Sequence, residues 1–560
     1  MAGGVMEASG VSQAGAVERR LGLTVDATAV REAAYVRAFE LAMDAQTPHP
    51  GTVKEIAALL EEGLARDWPE VVRAAMFADA AASKGRCHGA FRDAVQRLLS
   101  RAETDAAPAM IAVALALRAT RDVADGDSRF GAGADGDLVR ASVILESSDG
   151  PVIERISAHN SCAMAYGERW LWEIADEQYA VAMKLAPDPP PPWARFVLPA
   201  VVYNRAEMQV SWACILRQLG DETGVRERWQ VWQEVITAAP KVGMPASWQI
   251  ELRALGTLIG ALAREDIADD ARAQLEALDP SGHPGASPEG WLQLAIAVAD
   301  QREGRLETAH HAVEHALATI DCHQSCDAYD LALCIAAELE SVEREDTRHP
   351  AAAMRYARRQ LALRWSYRSA AHGSVLGRIE SERLRREHDV VTQQAHLDDL
   401  TALLNRRGFA RYLESIARQS IGTISLLVAD LDRFKRVNDR FGHQVGDMVL
   451  ISVGQVLHAH VRPADCAVRL GGDEFAIVLA SAPPDIARRR AEALIDAVRR
   501  HPWHELAPGL SITISVGFAS GATADFEELT ERADRALYSA KRQGRNRVVS
   551  DSAHERARGS

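Results

Sequence analysis

The stretch "RLGGDEFAIVL", residues 469–479, holds the residue types that most directly suggest chemistry. Two glycines and two carboxylates, Gly471, Gly472, Asp473 and Glu474, separate two apolar runs that indicate strands. Glycine and aspartate are poor strand residues. Glycine, however, adopts the backbone angles of a tight turn and lets a ligand approach the main chain closely. The pattern predicts a β-hairpin whose tip presents two carboxylates.

Another acidic position lies upstream, where the apolar strand predicted from Ile424 ends at Asp430. A carboxylate at the end of an apolar strand is unfavourable unless it binds something or faces water. If the hairpin tip lies beside this strand end, Asp430, Asp473 and Glu474 form a cluster suited to Mg²⁺, which prefers carboxylate and phosphate oxygens. The predicted companion is a nucleoside triphosphate, for which the available cations are Lys435, Lys541 and Arg545.

The elements that must position these residues begin at about Asp398. Strands are predicted in "TISLLVADL", "CAVRL", "FAIVLA" and "SITISVGFA", and helices in "DMVLISVGQVLHAHV", "DIARRRAEALIDAVRR" and "FEELTERADRALYSAKRQ". Strands that alternate with helices over about 150 residues are typical of one α/β or α+β domain.

The preceding part of the chain, residues 25–354, is rich in Ala, Leu, Arg and Glu at helical spacing, which predicts an all-α array. Two windows resemble the tetratricopeptide repeat, in which small residues let two helices approach. The first places Ala163, Tyr166, Ala175, Tyr179, Ala182 and Pro187 at the repeat's offsets, and the second places Ala297, Gly304, Ala309, Val313 and Ala316 there. An irregular array with chance alanine spacing is the alternative.

A charged segment, residues 355–397, predicts a connector helix between the array and the last domain. Leu376, Ile379, Val390 and Leu397 could share one face, but Arg383 and Arg386 break the heptad pattern. Two interpretations stay open: a helix that pairs weakly with a second copy of itself, or a solvated connector. Residues 1–24 and 551–560 are predicted to be a disordered leader and tail.

Composition narrows the class of protein. The chain has 560 residues, enough for several domains, and a net charge of −14 that argues against general nucleic-acid binding. No apolar run approaches the roughly 20 residues of a membrane span, and the N-terminus lacks the apolar segment of a signal peptide. Seven cysteines without a framework spacing predict a reducing compartment, the cytoplasm.

The C-terminal segment closely resembles the GGDEF family, the diguanylate cyclases. The resemblance covers roughly residues 398–549 and consists of five blocks in family order: "DDLTALLNRRGF", "DLDRFKRVNDRFGHQVGD", "RLGGDEFAIVL", "SVGFA" and "ADRALYSAKRQGRNRV". It implies a ferredoxin-like α+β nucleotidyl cyclase domain, residues 398–550, that condenses two GTP into cyclic di-GMP. The fold class expected for the whole chain is thus multidomain, with a helical-repeat array, a connector helix and this domain.

The resemblance also implies a role for each matching residue. Asp430, Asp473 and the main-chain carbonyl of Leu431 match the metal ligands, and Glu474 matches an acid near the attacking hydroxyl, a candidate base. The positions that match the substrate-binding residues are Asn438 and Asp447 for guanine, Gly471 and Gly472 for close approach of the phosphates, and Lys435, Lys541 and Arg545 for the triphosphate. Asp432 and Asp439 are interpreted as surface charges.

The family mechanism implies partners. Each domain holds one GTP with Mg²⁺, for which Mn²⁺ is an alternative, so two domains must face each other in a homodimer. "RPAD" places Arg462 and Asp465 at the offset of the family's inhibitory product site, which implies feedback by cyclic di-GMP. One departure is Ala402, where the first block usually has glycine.

Alternatives remain for function and for one segment. The chain is either an active cyclase, a silent cyclic di-GMP receptor, or a scaffold whose array binds a protein or peptide. His310, His311, His315, Cys322, His323, Cys326 and Cys334 could bind zinc, although surface histidines and core cysteines are the simpler interpretation.

Overall fold

The computed structural model describes residues 27–44, 50–83, 88–124, 132–278, 288–320, 326–343, 352–394, 396–418 and 422–551. The chain forms two compact units, Met1–Arg383 and Leu384–Ser560. The division falls inside the predicted connector. The predicted leader, and the predicted tail beyond Asp551, lie outside the described residues.

The regular elements of the first unit, within its described residues, are all helices. Its helices are α1 (Ala27–Asp44), α2 (Pro50–Ala65), α3 (Pro69–Ser83), α4 (His88–Thr104), α5 (Pro108–Ala124), α6 (Ala132–Glu146), α7 (Val152–Gly167), α8 (Trp172–Lys184), α9 (Ala194–Leu219), α10 (Glu222–Ile236), α11 (Ala246–Leu262), α12 (Ala268–Glu276), α13 (Pro288–Arg302), α14 (Leu306–Thr319), α15 (Cys326–Glu343) and most of α16 (Ala352–Gln394). One continuous apolar core runs through them, and alanines make up much of it. Small side chains allow the close helix packing of such an array.

Both windows that resemble repeats form pairs of packed helices. In the first pair, α7 and α8, Ala163, Tyr166 and Ala175 are fully buried. In the second pair, α13 and α14, Gly304 adopts a left-handed φ of 76° in the short connection between the helices. Short connections place consecutive helices side by side. The helical array is confirmed, and its assignment to tetratricopeptide repeats stays a prediction.

Helix α16 packs one of its faces against the helices of the first unit. Val375 and Arg368 are buried, at 1% and 4% exposure. Ile379 packs against the array core, whereas Leu376 is 43% exposed, so these two residues do not share one environment. The part of the connector up to Arg383 therefore groups with the array unit through one face, while most of its other described side chains are exposed.

The second unit contains a five-stranded sheet with strand order β2-β3-β1-β4-β5. The strands are β1 (Thr423–Leu431), β2 (Cys466–Gly471), β3 (Glu474–Ala480), β4 (Ile514–Ala522) and β5 (Val548–Ser550). The helices are α17 (Arg406–Arg418), α18 (Phe434–Phe441), α19 (His443–His460), α20 (Pro484–Arg500) and α21 (Phe526–Arg542). The antiparallel order β2-β3-β1-β4 with helices after β1 and β3 is the ferredoxin-like arrangement, so the predicted fold is confirmed.

The sheet is buried on both faces. Alternate residues of β1 enter two different cores: Leu427 and Ala429 lie in one, and Leu426 and Val428 in the other. A strand buried on both faces is a continuous apolar run rather than an alternating one. This burial explains why "TISLLVADL" gives such a strong strand signal and why a charge at its end is conspicuous.

The turn that precedes α17 contains the departure from the family pattern. Ala402 has a φ of +56°, in the left-handed region that favours glycine. No helix within the described residues is both long enough and apolar enough to cross a membrane.

Candidate functional site

The sheet brings the predicted acidic residues together. Strands β1 and β3 pair antiparallel in a register that sets Asp430 directly opposite Glu474. The amide of Leu431 donates a hydrogen bond of 3.2 Å to the carbonyl of Asp473. Residues paired directly across strands have Cβ atoms about 5 Å apart. The strand end and the hairpin tip therefore form one acidic site.

The hairpin between β2 and β3 depends on its glycines. Gly471 has a φ of 144° and Gly472 a φ of 54°, both in the region that favours glycine. A Cβ atom added to either glycine would meet nothing within 4 Å, so the requirement is for backbone angle and for open space beside the main chain. Open space there permits the predicted close approach of phosphates.

An arginine that the sequence analysis did not single out holds this hairpin. Arg469 donates to the carbonyl of Gly472 through Nε and a terminal nitrogen, at 3.1 and 3.0 Å. Its other terminal nitrogen donates to the carboxylate of Asp398 at 2.9 Å. Burial opposes ionisation of Asp398, but hydrogen bonds from Arg469 and Thr401 outweigh it and lower the pKa of Asp398. The sequence offered a signal for this contact, because Asp398 and Arg469 are the first residues of two of the motif blocks quoted above.

The electrostatics of Asp430 show that the site concentrates negative charge. Burial raises the pKa of Asp430, and the charges of Asp473 and Glu474 act in the same direction. The ammonium of Lys541 opposes this rise, with its Nζ 2.7 Å from an oxygen of Asp430. Lys541, predicted to contact a triphosphate, thus lies at the predicted metal-binding carboxylate.

The donor set fits Mg²⁺ as a cation shared with a substrate. All the predicted ligands are oxygens, and the strand register brings the carboxylate of Glu474 opposite that of Asp430. Within the described residues, no three His, Cys, Asp or Glu side chains are arranged to hold a metal by themselves. Mg²⁺ usually binds through one or two carboxylates completed by substrate phosphates and water. The residues fit that mode and not a closed protein cage.

The predicted guanine-binding pair lies where α18 meets α19. The main-chain carbonyl of Asn438 accepts a hydrogen bond of 2.9 Å from the amide of Gly442, the residue at which α18 ends. A Cβ atom placed on Gly446 would lie 1.9 Å from Oδ1 of Asn438. Asp447 follows Gly446, one turn into α19, and is exposed. Lys435 is also exposed, on α18.

Asp432 is a structural anchor, so its interpretation as a surface charge was wrong. Its carboxylate accepts hydrogen bonds from the hydroxyls of Thr513 and Ser515, at 2.7 and 2.6 Å, and from the amide of Asn546 at 3.0 Å. These bonds tie the end of β1 to the start of β4 and to the turn that contains Arg545. Asp439 is exposed, as predicted. The contacts of Asp432 are long-range, so no local pattern could reveal them.

The predicted inhibitory pair forms a tight turn between α19 and β2. The carboxylate of Asp465 accepts from the amides of Arg462 and Ala480, both at 3.1 Å. Its side chain is only 5% exposed and lies 3.6 Å from a nitrogen of Arg490. Arg462 is exposed. Of the two, Arg462 is the side chain available to a ligand, while Asp465 mainly maintains the turn.

The histidine and cysteine segment lies only partly within the described residues. His311 and His315 lie one turn apart on α14, with ring centroids 4.6 Å apart. Cys322 and His323 fall in residues 321–325, outside the description. The zinc hypothesis therefore stays a prediction. Cys466 is buried in β2, which confirms its interpretation as a core residue.

Comparisons with known proteins cover the segment that contains this site. Residues 395–547 match the family model described as "Diguanylate cyclase, GGDEF domain". Diguanylate cyclase DgcS from Shewanella oneidensis is 36% identical over 164 residues, which are 29% of this chain and 54% of that relative. Diguanylate cyclase DgcP from Pseudomonas aeruginosa is 42% identical over 161 residues, 28% of this chain and 24% of that relative.

The chain thus spans about half, or less, of the length of these curated relatives. Among solved structures, the coiled coil and GGDEF domain of DgcB from Caulobacter crescentus, in complex with c-di-GMP, is 35% identical. That match covers 30% of this chain and 93% of the solved chain, with a TM-score of 0.28. Residues 395–547 thus form a GGDEF domain similar to those of the curated diguanylate cyclases.

Proposed function

We propose that the chain is a diguanylate cyclase, which condenses two GTP into cyclic di-GMP and two pyrophosphates. The observation that carries this proposal is the register of β1 and β3, which sets Asp430 opposite Glu474 with Lys541 beside them. The curated relatives are named diguanylate cyclases, and the solved DgcB structure contains c-di-GMP, which supports the same product here.

The proposed chemistry is an in-line displacement at the α-phosphorus of GTP. The 3′-hydroxyl oxygen of one GTP forms a bond to that phosphorus, the bond to the bridging oxygen breaks, and pyrophosphate leaves with the electron pair. Glu474, at the first position of β3, takes the hydroxyl proton. Asn438 and Asp447 bind guanine, because an amide and a carboxylate complement its acceptor and donor edge.

Asp430, Asp473 and the carbonyl of Leu431 would hold Mg²⁺, with Mn²⁺ as the alternative ion. When bound, the ion supplies Lewis acidity at the phosphates. Lys541 already contacts Asp430, so one side chain links the proposed metal and triphosphate positions. Lys541 and Arg545 would neutralise the triphosphate, and Gly471 and Gly472 would let it lie against the main chain.

The proposed active form is a homodimer in the cytoplasm. One acidic site binds one GTP, so the two halves of cyclic di-GMP require two domains facing each other. The helical array would regulate the association of the two domains, and the proposed regulating ligand is a protein or peptide bound to the array.

The test of activity uses the full-length protein with GTP and Mg²⁺, followed by chromatography of the nucleotides. Glu474→Gln keeps the size of the side chain and removes its charge, so we expect loss of at least ~99% of turnover, a typical cost of removing a general base. Glu531→Gln is the matched control, because Glu531 is 77% exposed on α21.

Normal turnover by Glu474→Gln would refute the role of Glu474. If the wild-type protein makes no cyclic di-GMP but binds it saturably, the receptor alternative replaces the cyclase.

Product feedback is proposed at Arg462, whose side chain is exposed beside the Asp465 turn. Arginine suits the Hoogsteen edge of guanine and phosphate. Arg462→Ala should raise the concentration of cyclic di-GMP needed for half-inhibition roughly tenfold, the worth of one charged hydrogen bond. Inhibition curves that coincide with those of the wild type would place feedback elsewhere. Asp465→Ala is a poorer test because it also removes the turn's hydrogen bonds.

A further inference from the structure

A cleft of about 640 Å³ lies in the second unit, outside the acidic site. Its cationic lining consists of Arg433, Arg436, Arg440 and Arg545, and we refer to it as the arginine cleft. Its other walls come from the segment before β4, residues 509–513, and from the turn 544–546. Its volume is in the range of small-molecule sites.

The arginine cleft lies on the face of α18 opposite the predicted substrate residues. Arg436 and Arg440 are four residues apart and share one face of the helix. Lys435 and Asn438, three residues apart, share the other, because each residue advances about 100° around the axis. Of these four residues, only Arg436 and Arg440 line the cleft. It is therefore not the predicted guanine site.

The cleft has an excess of positive charge. Among the described residues, no carboxylate lies within ion-pair distance of Arg433, Arg436, Arg440 or Arg545. Two acids also line it, Asp432 and Asp439, but both oxygens of Asp432 accept hydrogen bonds from Thr513, Ser515 and Asn546. Four guanidinium groups facing one cavity, in a chain of net charge −14, indicate an anionic ligand.

One residue is common to the arginine cleft and the predicted triphosphate site, and it indicates the class of anion. Arg545 lines the cleft and is also a predicted cation of the triphosphate site. The turn around it is held by the hydrogen bond from the amide of Asn546 to Asp432, and Gly544, Arg545 and Asn546 all have positive φ. Guanidinium groups bind phosphates in a bidentate manner, and several of them together suit more than one phosphate. Under the proposed function, the terminal phosphates of the nucleotide that Arg545 binds would be such an anion.

We propose that the arginine cleft binds a polyphosphate anion and receives the pyrophosphate product during turnover. The binding itself does not depend on catalysis, whereas the role in turnover rests on the proposed function. Pyrophosphate departs from the α-phosphorus with the bridging oxygen and its electron pair, so it carries the charge that the cleft complements. Arg433, Arg436 and Arg440 would thus guide product release.

The test is calorimetric titration of the full-length protein with inorganic pyrophosphate. The double substitution R436Q/R440Q should weaken pyrophosphate binding by roughly tenfold or more, since each charged hydrogen bond contributes at least that much in favourable cases. R499Q/R500Q is the matched control: it removes the same charge from residues of α20 that are 50% and 74% exposed. Thermal unfolding of each variant verifies that the fold is retained.

The proposal predicts that sulfate binds at least about tenfold more weakly than pyrophosphate, because it carries a single tetrahedral group. Equal affinity for both anions would overturn the polyphosphate assignment. Unchanged pyrophosphate binding in R436Q/R440Q would overturn the site. The same titration of Glu474→Gln separates the two proposals, since that variant should bind pyrophosphate normally even if the protein proves not to be a cyclase.

Discussion

At the scale of single residues, the position of Asn438 depends on the absence of a side chain at Gly446. The separation of 1.9 Å between a Cβ at 446 and Oδ1 of Asn438 is far below van der Waals contact, so a side chain at 446 would displace the amide. The two residues lie on successive helices, α18 and α19, which meet at Gly442. If Asn438 binds guanine as proposed, this binding depends on the close approach of the Gly446 backbone as well as on the amide itself.

Substituting Gly446 should impair substrate binding more than the chemical step. In Gly446→Ala, the displaced Asn438 amide loses its contact with guanine, and we expect KM for GTP to rise roughly tenfold while kcat changes little. Steady-state kinetics of cyclic di-GMP formation measures both constants. Gly422→Ala is the control, since a Cβ there meets nothing within 4 Å. A fall in kcat at constant KM would contradict this explanation.

At the scale of elements, the signature hairpin is tied to the turn before α17. Arg469 bridges the Gly472 carbonyl and the Asp398 carboxylate, and Asp398 also accepts hydrogen bonds from the amide and hydroxyl of Thr401. The Arg469 side chain is only 12% exposed and that of Asp398 only 24%. This network fixes the hairpin tip that presents Asp473 and Glu474, and it connects residues far apart in the chain.

Arg469→Gln should loosen the hairpin and weaken the domain. We expect the free energy of unfolding to fall by about 1–3 kcal/mol, because the substitution leaves partly buried acceptors without their charged donor. The lowered pKa of Asp398 adds a pH test. The contribution of ionised Asp398 to the free energy of unfolding is fully present above the usual aspartate pKa. It is lost as the pH falls through the lowered pKa of the folded state.

Urea unfolding at pH 7 and near pH 3 measures this contribution. The difference between wild type and Arg469→Gln should be large at pH 7 and shrink at the lower pH. A difference that does not change with pH would show that the bridge to Asp398 contributes little. Arg407→Gln, which replaces an exposed arginine of α17, is the control.

At the scale of the whole molecule, α16 belongs to the array for most of its length and runs past the boundary between the units. Arg368 donates to the carbonyl of Trp170 at 2.6 Å and also pairs with Glu173. Trp365 packs on Trp172, with ring centroids 6.2 Å apart, and Arg383 pairs with Glu146 at 2.6 Å. Under the proposed regulation, these contacts are the ones through which a change in the array would act on α16.

Arg368 is a buried attachment of α16 to the array. Burial lowers the pKa of its guanidinium to about 10, which reflects how little water reaches it. Arg368→Met should reduce the stability of the first unit by about 1–3 kcal/mol, since the Trp170 carbonyl loses its donor. Denaturant unfolding followed by tryptophan fluorescence measures the loss, because Trp365 and Trp172 lie at this contact. Arg359→Met, at an exposed position of the same helix, should have little effect, and equal losses would contradict the assignment.

Local patterns predicted much of the second unit. β1 extends over the predicted run, the hairpin lies at the two glycines, and Cys466 is buried. Helices α17 and α18 and strand β5 were not predicted, although α17, with 13 residues, is long enough to show a helical period. β5 has only three residues, and its pairing with β4 is set by partners distant in the chain. Short elements carry too little periodicity to be recognised.

By itself the sequence determined, through periodicity, the helical array and an α/β or α+β domain, because periodicity is a local property. Its resemblance to the GGDEF family implied the ferredoxin-like fold and the roles of the acidic, amide and cationic residues. Only the tertiary structure decided how those residues meet. It placed Lys541 on Asp430, made Asp432 and Asp465 anchors of turns, clamped the hairpin with Arg469 and packed α16 on the array. These arrangements depend on contacts between residues far apart in the chain. Whether a charged side chain binds a ligand or stabilises the fold depends on the residues that it contacts.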